Sequence, residues 1–590
     1  MPEDGPRGRE SDGTEAPGAT RVGPAESAGD SRPDAPPVPA RRAAHSRTDA
    51  LPVPPRPGAA PGQTRPGADP VEARPDTDPG PPRAGRPRDR YWAPWLIALL
   101  VFAVYLTISL FRYLQLNPSS WDLGIFTELV KQYAHLRAPV ADVRGAGVNL
   151  LGDHFSPIIA LIAPFFLVRP SPITLLVTQA FLTAVSVLPV TWAAADKLGR
   201  RAGGAVGAAY GFSWGLQQMI NFDFHEIAFA VPLLAFSLSA LVRGRTRAAV
   251  AWALPLVFVK EDQGFTVAAI GVLMIAVSQW RDCPARPADN PATAPAGRAR
   301  ASGRGPVFGG QLLIAWGVLW SVLAITVIIP HFNAAHHYQY WSDGGTLGPG
   351  GHFSAAGTVR QFFTSWPVKL GTTLMLLLPT AFIALWSPLA LVALPSIMLR
   401  FLGTSTNFWG TQWHYNATAM PILFLAAVDA IVRVRSRESR SASSAPPAAG
   451  RASWREAVTA AIDRHGAAAM LAIAVALVFQ FPVGTLWNPS TYRIDAHVAD
   501  ADAAMAAVPD GATVTTTLDL LAPLAARTDT FWIGNAGNPS TAYIVFDGTD
   551  SGYSPEPANI PAFVASQHPG VRYSVIFDTG DIYVFRRNGP

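Results

Sequence analysis

Ionisable side chains occur in four short motifs that lie between or within long apolar segments of the sequence. A charged residue at the edge of a lipid bilayer costs free energy unless it is solvated, paired or used in chemistry, so such residues are candidates for function. Aromatic or aliphatic residues bracket each motif, which predicts a water-accessible pocket beneath an apolar cover. The candidate site residues are Asp122 in WDLGIF, His154 in GDHFSP, Asp223, His225 and Glu226 in NFDFHE, and Lys260, Glu261 and Asp262 in VKEDQGF.

Asp122 follows the first long apolar segment, where a membrane helix would leave the bilayer. A carboxylate held within hydrogen-bond reach of an acceptor hydroxyl, and partly shielded from water, would serve as a general base. The alternative is a helix cap, in which Ser119, Ser120 or Asp122 opens a helix over LGIFTELVKQYAH and an acid favours its positive end. The two roles are compatible, and the sequence leaves both open.

Asp223 and His225 alternate around Phe224, so an extended turn would point both side chains in one direction. Such a pair suits a divalent cation or two hydroxyl groups, and the cofactor is otherwise unknown. The alternative is a loop cap before a helix at 227–242, with Glu226 in its first turn.

Lys260 is one of four lysines in a chain that otherwise uses arginine. As a compact point charge it would hold a phosphate. The alternative is a local ion pair with Glu261 or Asp262, because charges within membranes usually pair. His154 would orient the substrate, or it would be only an interfacial histidine.

The composition is typical of a membrane protein, since hydrophobic residues make up 49% of the 590 residues and charged residues only 15%. The formal charge is +5, but the arginines flank apolar segments instead of forming a stripe with interleaved aromatic residues. This arrangement argues against nucleic acid as a partner. Residues 1–88 contain almost no large apolar side chain, so they are predicted to be disordered.

The apolar segments predict an all-α polytopic transmembrane bundle of about 10–12 helices. Arginines before the first segment place the N-terminus in the cytoplasm by the positive-inside rule. The predicted spans lie near residues 91–113, 173–195, 203–220, 227–242, 248–280, 309–329, 369–386, 389–402, 417–433 and 466–484.

The same rule requires the later basic clusters, at 197–201, 243–247, 297–305 and 433–440, to be cytoplasmic as well. All four clusters are cytoplasmic if two apolar segments do not each cross the membrane as one simple span. The short run 156–168 would be interfacial or re-entrant, and the segment 248–280, which charged residues interrupt, would be a broken or paired element. The candidate residues then gather on one outer face, whose loops are 115–172, 221–226, 331–368 and 403–416.

Three regions follow from this topology. They are a disordered cytoplasmic tail at 1–88, a polytopic transmembrane domain at 89–484, and a small extracytoplasmic α/β domain at 485–590. The last region alternates helix-like and strand-like pieces. It ends in VRYSVIF and DIYVFRR, which predict a β-hairpin that turns at residues 578–580.

The stretches SSWDLGIFTELV, GDHFSPIIALIAPFF, NFDFHEIAFAVPLLAFSL and VFVKEDQGF together resemble the bacterial membrane family known as domain of unknown function 2079. That family is similar in layout to the polytopic glycosyltransferases of the C superfamily, the GT-C enzymes. The resemblance implies sugar transfer outside the membrane, from a polyprenyl-phosphate-linked donor, with an acid of the first external loop as base. Asp122 occupies that place, although the chain lacks the Asp-Asp or Asp-Glu pair of better-known members.

The function predicted is therefore a membrane glycosyltransferase that moves a sugar from a polyprenyl-phosphate-linked donor to an envelope glycan, lipid or protein acceptor. Membrane lipid is a further expected partner. Two alternatives stay open: an ion-coupled transporter or flippase-type carrier, and a non-catalytic envelope scaffold. In the enzyme, Asp122 would deprotonate the acceptor and Lys260 would neutralise the leaving lipid phosphate. The residues that would orient the sugar or a metal are His154, Asp223, His225 and Glu226, and those that would support them are Glu261 and Asp262.

Overall fold

The computed structural model describes residues 91–282, 304–342, 354–444, 454–549 and 557–589. The predicted tail at 1–88 lies outside these residues. The described part is mainly helical and ends in a small mixed sheet. Its α-helices are α1 (Ala93–Leu114), α2 (Asp122–Ala134), α3 (Ala163–Val168), α4 (Pro172–Leu198), α5 (Arg200–Gly211), α6 (Trp214–Asn221), α7 (Ala230–Val242), α8 (Thr246–Ala253), α9 (Gln263–Asp282), α10 (Arg304–Leu323), α11 (Ile329–Phe332), α12 (Gln339–Ser342), α13 (Ala355–Phe363), α14 (Trp366–Leu377), α15 (Leu394–Leu402), α16 (Ala419–Ser444), α17 (Trp454–Val478), α18 (Ala496–Ala506), α19 (Leu521–Ala525) and α20 (Ile560–Gln567).

Long apolar helices form the frame of the molecule. Within the described residues, five helices have the length and composition to cross a membrane: Ala93–Leu114, Pro172–Leu198, Gly305–Phe332, His414–Glu438 and Trp454–Val478. A turn of π-helix, Ala324–Ile328, joins α10 to α11 within the third of them. Each overlaps a predicted span, whereas the other predicted spans are shorter or interrupted helices.

Interruptions of the helices create the loops that carry the candidate residues. The segment 248–280 is broken, as predicted, between a 3₁₀ helix at Leu254–Phe258 and the start of α9. The run 156–168 forms a 3₁₀ helix, Pro157–Ile162, and the short α3, which together are too short to span a bilayer. The segment 369–386 also breaks, because Ala381 and Phe382 adopt φ of 50° and 60°.

The crossing of α9 and α10 is close enough to bring backbone against backbone. A Cβ atom on Gly264 would lie 2.3 Å from the carbonyl oxygen of Gly317. Small residues permit this approach within membranes. Ser321 of α10 donates a hydrogen bond to the carbonyl oxygen of Glu261 at 2.5 Å. The crossing therefore holds the turn at residues 260–262 against α10.

The C-terminal region folds around a five-stranded sheet in the order β2-β1-β3-β5-β4. Strand β1 pairs in parallel with β2 and β3, and β5 pairs in antiparallel with β3 and β4. The β4–β5 hairpin turns at Gly580, with φ of 61°, as the sequence predicts. The strands are β1 (Thr513–Thr516), β2 (Asp529–Trp532), β3 (Tyr543–Asp547), β4 (Tyr573–Thr579) and β5 (Ile582–Arg587).

The sheet region docks on α2 through α19. The Cβ of Leu521 lies 3.1 Å from the position of a Cβ on Gly124, so an alanine there would require Leu521 to shift by a few tenths of an ångström. Lys131 donates to the carbonyl oxygen of Thr528 at 2.5 Å, next to β2. These contacts set the C-terminal region beside the helix that begins with Asp122.

Candidate active site

A cavity of about 730 Å³ lies where the helix interruptions meet. Residues from all four predicted external loops line it, and so does the turn between the 3₁₀ helix at Leu254–Phe258 and α9. The predicted site residues in its lining are Asp122, His154, His225, Lys260, Glu261 and Asp262. The structure thus brings together residues from motifs that are far apart in the sequence.

A buried chain of charged groups forms one wall. The Nζ atom of Lys260 lies 3.0 Å from Oε1 of Glu226, whose Oε2 lies 2.9 Å from Nδ1 of His225. The sequence suggested Glu261 or Asp262 as the ion-pair partner of Lys260, but Glu226 holds that position. Glu226 lies in the first turn of a 3₁₀ helix at Glu226–Phe229, and His225 caps that helix, so the predicted cap is also present. The cap uses Nδ1 of His225 as the acceptor for the Ile227 N–H, so this nitrogen does not also donate to Glu226, and Lys260 is the hydrogen-bond partner of the carboxylate.

A second carboxylate–histidine pair stands beside Lys260. Nδ1 of His154 lies 2.8 Å from Oε1 of Glu261, which also accepts from the hydroxyl of Tyr338 at 2.9 Å. Burial and Lys260 each lower the pKa of His154, but Glu261 and Asp153 outweigh them and raise it above the ordinary histidine value. His154 therefore retains its proton, and the ion pair, to a higher pH than a solvated histidine.

Stacked rings and ions form the rim next to the C-terminal region. The ring of His154 stacks on Tyr340 with centroids 4.6 Å apart. The guanidinium of Arg144 lies 5.1 Å from the ring centroid of Trp121, and Trp121 packs edge-on against Trp532 of β2 at 4.8 Å. A residue of the sheet region thus contacts a residue that lines the cavity.

Asp122 is the first residue of α2 and lines the cavity. The residue at the N-cap position is Trp121, whose side chain makes no capping hydrogen bond. Asp122 instead accepts a short hydrogen bond from the hydroxyl of Ser120. The carboxylate therefore lies near the positive end of a helix without being used as a cap.

Asp223 does not line the cavity with its neighbours, contrary to the expected alternation with His225. Its φ is +73°, which turns the backbone out of the extended conformation that would align the two side chains. Its carboxylate accepts from the N–H of Ser119 at 2.7 Å and lies 3.8 Å from Arg112. Burial raises the pKa of Asp223 to about 6, against the opposing effects of Arg112 and the Ser119 N–H. Asp223 joins two loops beneath the site.

This geometry does not suit a divalent cation at Asp223 and His225, because the two side chains have separate partners. Across the part of the chain that the structure describes, no three His, Cys, Asp or Glu side chains are grouped as metal ligands.

Arg400 is a buried cation in the opposite wall, at the C-terminal end of α15. Its guanidinium donates to the carbonyl oxygen of Phe408 at 2.8 Å, to that of Tyr415 at 3.1 Å and to Oδ1 of Asn416 at 3.0 Å. Among the described residues its partners are uncharged oxygens, so no carboxylate there neutralises its charge.

His414 lies between that wall and His225. The two imidazole rings stack with centroids 3.7 Å apart. His414 is only 2% exposed, and neither of its ring nitrogens has a hydrogen-bond partner within the described residues. Nε1 of Trp413, which also lines the cavity, is likewise buried without an acceptor there. Buried polar groups are normally paired, so these atoms mark a surface on which a polar ligand would form hydrogen bonds.

The family described as "Predicted membrane protein (DUF2079)" matches residues 112–549, which is more than half of the chain. The chain belongs to this family. No curated protein sequence matches it.

The fold of this DUF2079 member is shared with a solved structure of 13% sequence identity. The crystal structure of ArnT from Cupriavidus metallidurans bound to undecaprenyl phosphate superposes with a TM-score of 0.50, over 83% of this chain and 97% of that chain. The apo state of the same protein gives a TM-score of 0.44 at 14% identity, with the same coverage of both chains. The Archaeoglobus fulgidus oligosaccharyltransferase in its apo form gives 0.32 at 12% identity, over 78% of this chain and 70% of that chain. The last two scores lie below 0.5, so the fold assignment rests on the first.

Sequence reasoning missed several residues of this DUF2079 site. Arg400 carried a signal, because an arginine at the end of an apolar helix requires a partner or a function. His414 lies in GTSTNFWGTQWHYNATAMP, an aromatic stretch that could line a pocket or lie at the membrane interface, and it lines the cavity. Tyr338 and Tyr340 had no distinguishing signal, because tyrosines are common in aqueous loops near membranes.

Proposed function

We propose that the protein is a membrane glycosyltransferase that takes a sugar from a polyprenyl-phosphate-linked donor and transfers it to a hydroxyl of an envelope glycan, lipid or protein. The observation that carries the proposal is the meeting of Asp122, the His154–Glu261 pair, His225 and Arg400 in the lining of one 730 Å³ cavity in a membrane protein. The shared fold of the ArnT structure that holds undecaprenyl phosphate adds support for a lipid-phosphate ligand.

Asp122 is the proposed general base. Within the described residues, one oxygen of its carboxylate accepts from the hydroxyl of Ser120, so the other oxygen remains to accept a proton from the acceptor hydroxyl. As the acceptor oxygen attacks the anomeric carbon, its bond to that carbon forms while the bond from carbon to the phosphate oxygen breaks. The proton passes to Asp122, the electron pair leaves with the polyprenyl phosphate, and the configuration inverts.

Arg400 is the stronger candidate for contact with the leaving phosphate. Lys260, which the sequence pattern predicts for this role, lines the cavity but has Glu226 as an ion-pair partner at 3.0 Å. Arg400 has only uncharged oxygens as partners among the described residues. Positive charge that no neighbouring carboxylate cancels favours the developing phosphate anion most. Lys260 then contributes to the field of the site and fixes Glu226 and His225.

The aromatic stretch at residues 400–415 is the proposed sugar subsite. Residues of this stretch that line the cavity include Asn407, Phe408 and Tyr415. Sugars combine apolar ring faces with hydroxyl groups, which aromatic rings and paired polar groups recognise together. The ring nitrogens of His414 and Nε1 of Trp413, which have no hydrogen-bond partner among the described residues, supply hydrogen-bonding groups for such hydroxyls.

The proposed orientation places the cavity and the C-terminal region outside the cell membrane, with the N-terminus in the cytoplasm, by the positive-inside rule. Residues 89–484 would form the catalytic membrane domain and 485–590 a cover or acceptor-binding domain beside it. Membrane lipid, a polyprenyl-phosphate sugar donor and an envelope glycan acceptor are the proposed partners. A carrier would need the charged residues to be reachable from both faces, whereas most of them line one cavity.

A transfer assay in proteoliposomes tests the proposal. Wild type, Asp122→Asn and Ser120→Ala would receive a panel of radiolabelled polyprenyl-phosphate sugars and a lipid extract as acceptor source. The expected result is transfer by wild type, about 10²–10⁴-fold slower transfer by Asp122→Asn, and a smaller loss in Ser120→Ala. Equal rates for wild type and Asp122→Asn would exclude the general-base role.

A further inference from the structure

A second cavity, of about 430 Å³, lies away from the candidate active site, between the turn that joins α4 to α5 and the helices α16 and α17. Two predicted cytoplasmic clusters, KLGRR and RVRSRESR, meet there. Nothing in the proposed transfer reaction uses this cavity.

The charge of the cavity is strongly positive. Its lining contains the guanidinium groups of Arg200, Arg201, Arg435 and Arg464 and the single carboxylate of Asp463. Arg435 forms an ion pair with Asp463. Within the described ranges, neither Arg201 nor Arg464 pairs with a carboxylate. Like charges brought together at a cavity repel one another, and an anion between them would remove that repulsion.

The backbone adds to this positive field. Helix α5 begins at Arg200, and the residue at its N-cap position, Gly199, has no side chain that could cap the first N–H groups. Arg200 and Arg201 thus lie at the positive end of a helix, where cations are unfavourable and anions are favoured. The charge of the arginine side chains and the N-terminus of α5 therefore both favour an anion at this location.

The cavity also lies at the level where apolar helices end. Leu198 is the last residue of α4, and Arg435 lies close to the end of the apolar segment His414–Glu438. Leu198, Ile431 and Ala467 supply apolar surface within the same cavity. Further along α17, Val475 is 55% exposed. Cationic groups next to an apolar wall and an exposed apolar helix match the head and the acyl chains of a phospholipid.

We propose that this cavity binds a phospholipid with an anionic headgroup, such as phosphatidylglycerol. Basic pockets between transmembrane helices on the cytoplasmic side are suited to anionic headgroups. The guanidinium groups of Arg201 and Arg464 contact the phosphate, the N-terminus of α5 faces it, and the acyl chains lie along α17. A free phosphate would also be an anion but would leave the apolar wall uncovered.

Native mass spectrometry of the full chain, released from nanodiscs, tests this site. The probes are phosphatidylglycerol and phosphatidylcholine with identical acyl chains. We expect wild type to retain one phosphatidylglycerol and no phosphatidylcholine. The double variant Arg201→Gln/Arg464→Gln should bind phosphatidylglycerol about 30-fold more weakly, from roughly one kcal/mol per arginine at a membrane surface.

Two further double variants serve as matched controls. Arg245→Gln/Arg247→Gln removes the same charge from another predicted cytoplasmic cluster that does not line the cavity, and it should retain the lipid. Arg201→Lys/Arg464→Lys should restore most of the binding, because the charge is kept. Melting temperatures in detergent verify that all variants are folded. Equal loss in the two Gln double variants, equal retention of both lipids, or displacement of the lipid by millimolar glycerol phosphate would each overturn the proposal.

Discussion

Lys260 and Glu226 form an ion pair of 3.0 Å in the interior of a membrane protein, across 34 positions of the sequence. The pair joins the turn before α9 to the 3₁₀ helix before α7. Through Glu226 it also reaches His225. Two motifs that the sequence gives separately are therefore parts of one charge network.

Removal of one partner of this pair should destabilise the protein strongly. Glu226→Ala leaves the Lys260 ammonium buried without its carboxylate, and breaking a buried pair in this way costs about 3–5 kcal/mol. Lys260→Met in the same chain should recover part of the loss, because neither charge then remains unpaired. Melting temperatures of the two single variants and the double variant in detergent measure the coupling. Strictly additive decreases would show that the ion pair has no coupling energy.

Gly317 should be intolerant of any larger side chain. A Cβ there would lie 2.2 Å from the carbonyl oxygen of Gly264, so Gly317→Ala forces α9 and α10 apart at a cost of about 1–3 kcal/mol. Gly305→Ala is the matched control on the same helix, since a Cβ at that position meets nothing within 4 Å. Thermal unfolding in detergent compares the two. A Gly317→Ala protein as stable as Gly305→Ala would contradict the close crossing.

Most of the long helices could be predicted from sequence, because about twenty consecutive apolar residues are a direct signal for a bilayer span. The break at Ala381 and Phe382 could not, since a run of apolar residues gives no sign of a left-handed backbone there. In the C-terminal region, the long β4–β5 hairpin was evident, whereas β2 spans only Asp529–Trp532 and is too short for alternation to be recognised.

The site was predictable where charge stands out from an apolar background. Lys260 and Asp122 were identified in this way, and both line the cavity. The orientation of Asp223 was not, because its positive φ depends on contacts with Arg112 and Ser119 that lie far away in the chain. The role of Glu226 as partner of Lys260 also depends on tertiary contact, and neighbouring acids in the sequence suggested other partners.

Two titrations should make stability fall as pH rises. A group whose pKa is higher in the folded state stabilises fully below its unfolded pKa, and the contribution is lost as pH rises through the folded value. For Asp223 the window runs from 3.8 to about 6. For His154 it begins at 6.5 and extends upward. Melting temperature measured against pH reports both.

Single variants separate the two windows. Asp223→Asn should flatten the change between pH 3.8 and 6 and leave the upper window intact. His154→Gln should do the reverse, because glutamine can still donate to Glu261 but does not titrate. If His154→Gln retained the wild-type slope above pH 6.5, the raised pKa of His154 would be refuted.

His414→Phe should raise stability and lower activity together. The phenylalanine ring can still stack on His225, while two buried nitrogens that have no partner in the described part of the chain are removed. An unpaired buried polar group costs about 1–3 kcal/mol, so the melting temperature should rise. Loss of the hydrogen bonds to a sugar hydroxyl should raise KM more than it lowers kcat. His336→Phe, at an exposed position of another loop, is the control. A His414→Phe protein with wild-type KM would remove His414 from the sugar subsite.

Photolabelling with a diazirine-bearing undecaprenyl phosphate, mapped by mass spectrometry, tests most directly whether a lipid phosphate binds in the cavity. Labelled peptides are expected from residues 399–418 and from the loop around His154. Arg400→Gln should reduce labelling about tenfold or more, from the energy of a hydrogen bond to a charged group. Arg360→Gln, an exposed arginine outside the cavity, should leave labelling unchanged. Labels confined to other parts of the chain, or equal labelling of wild type and Arg400→Gln, would contradict the account.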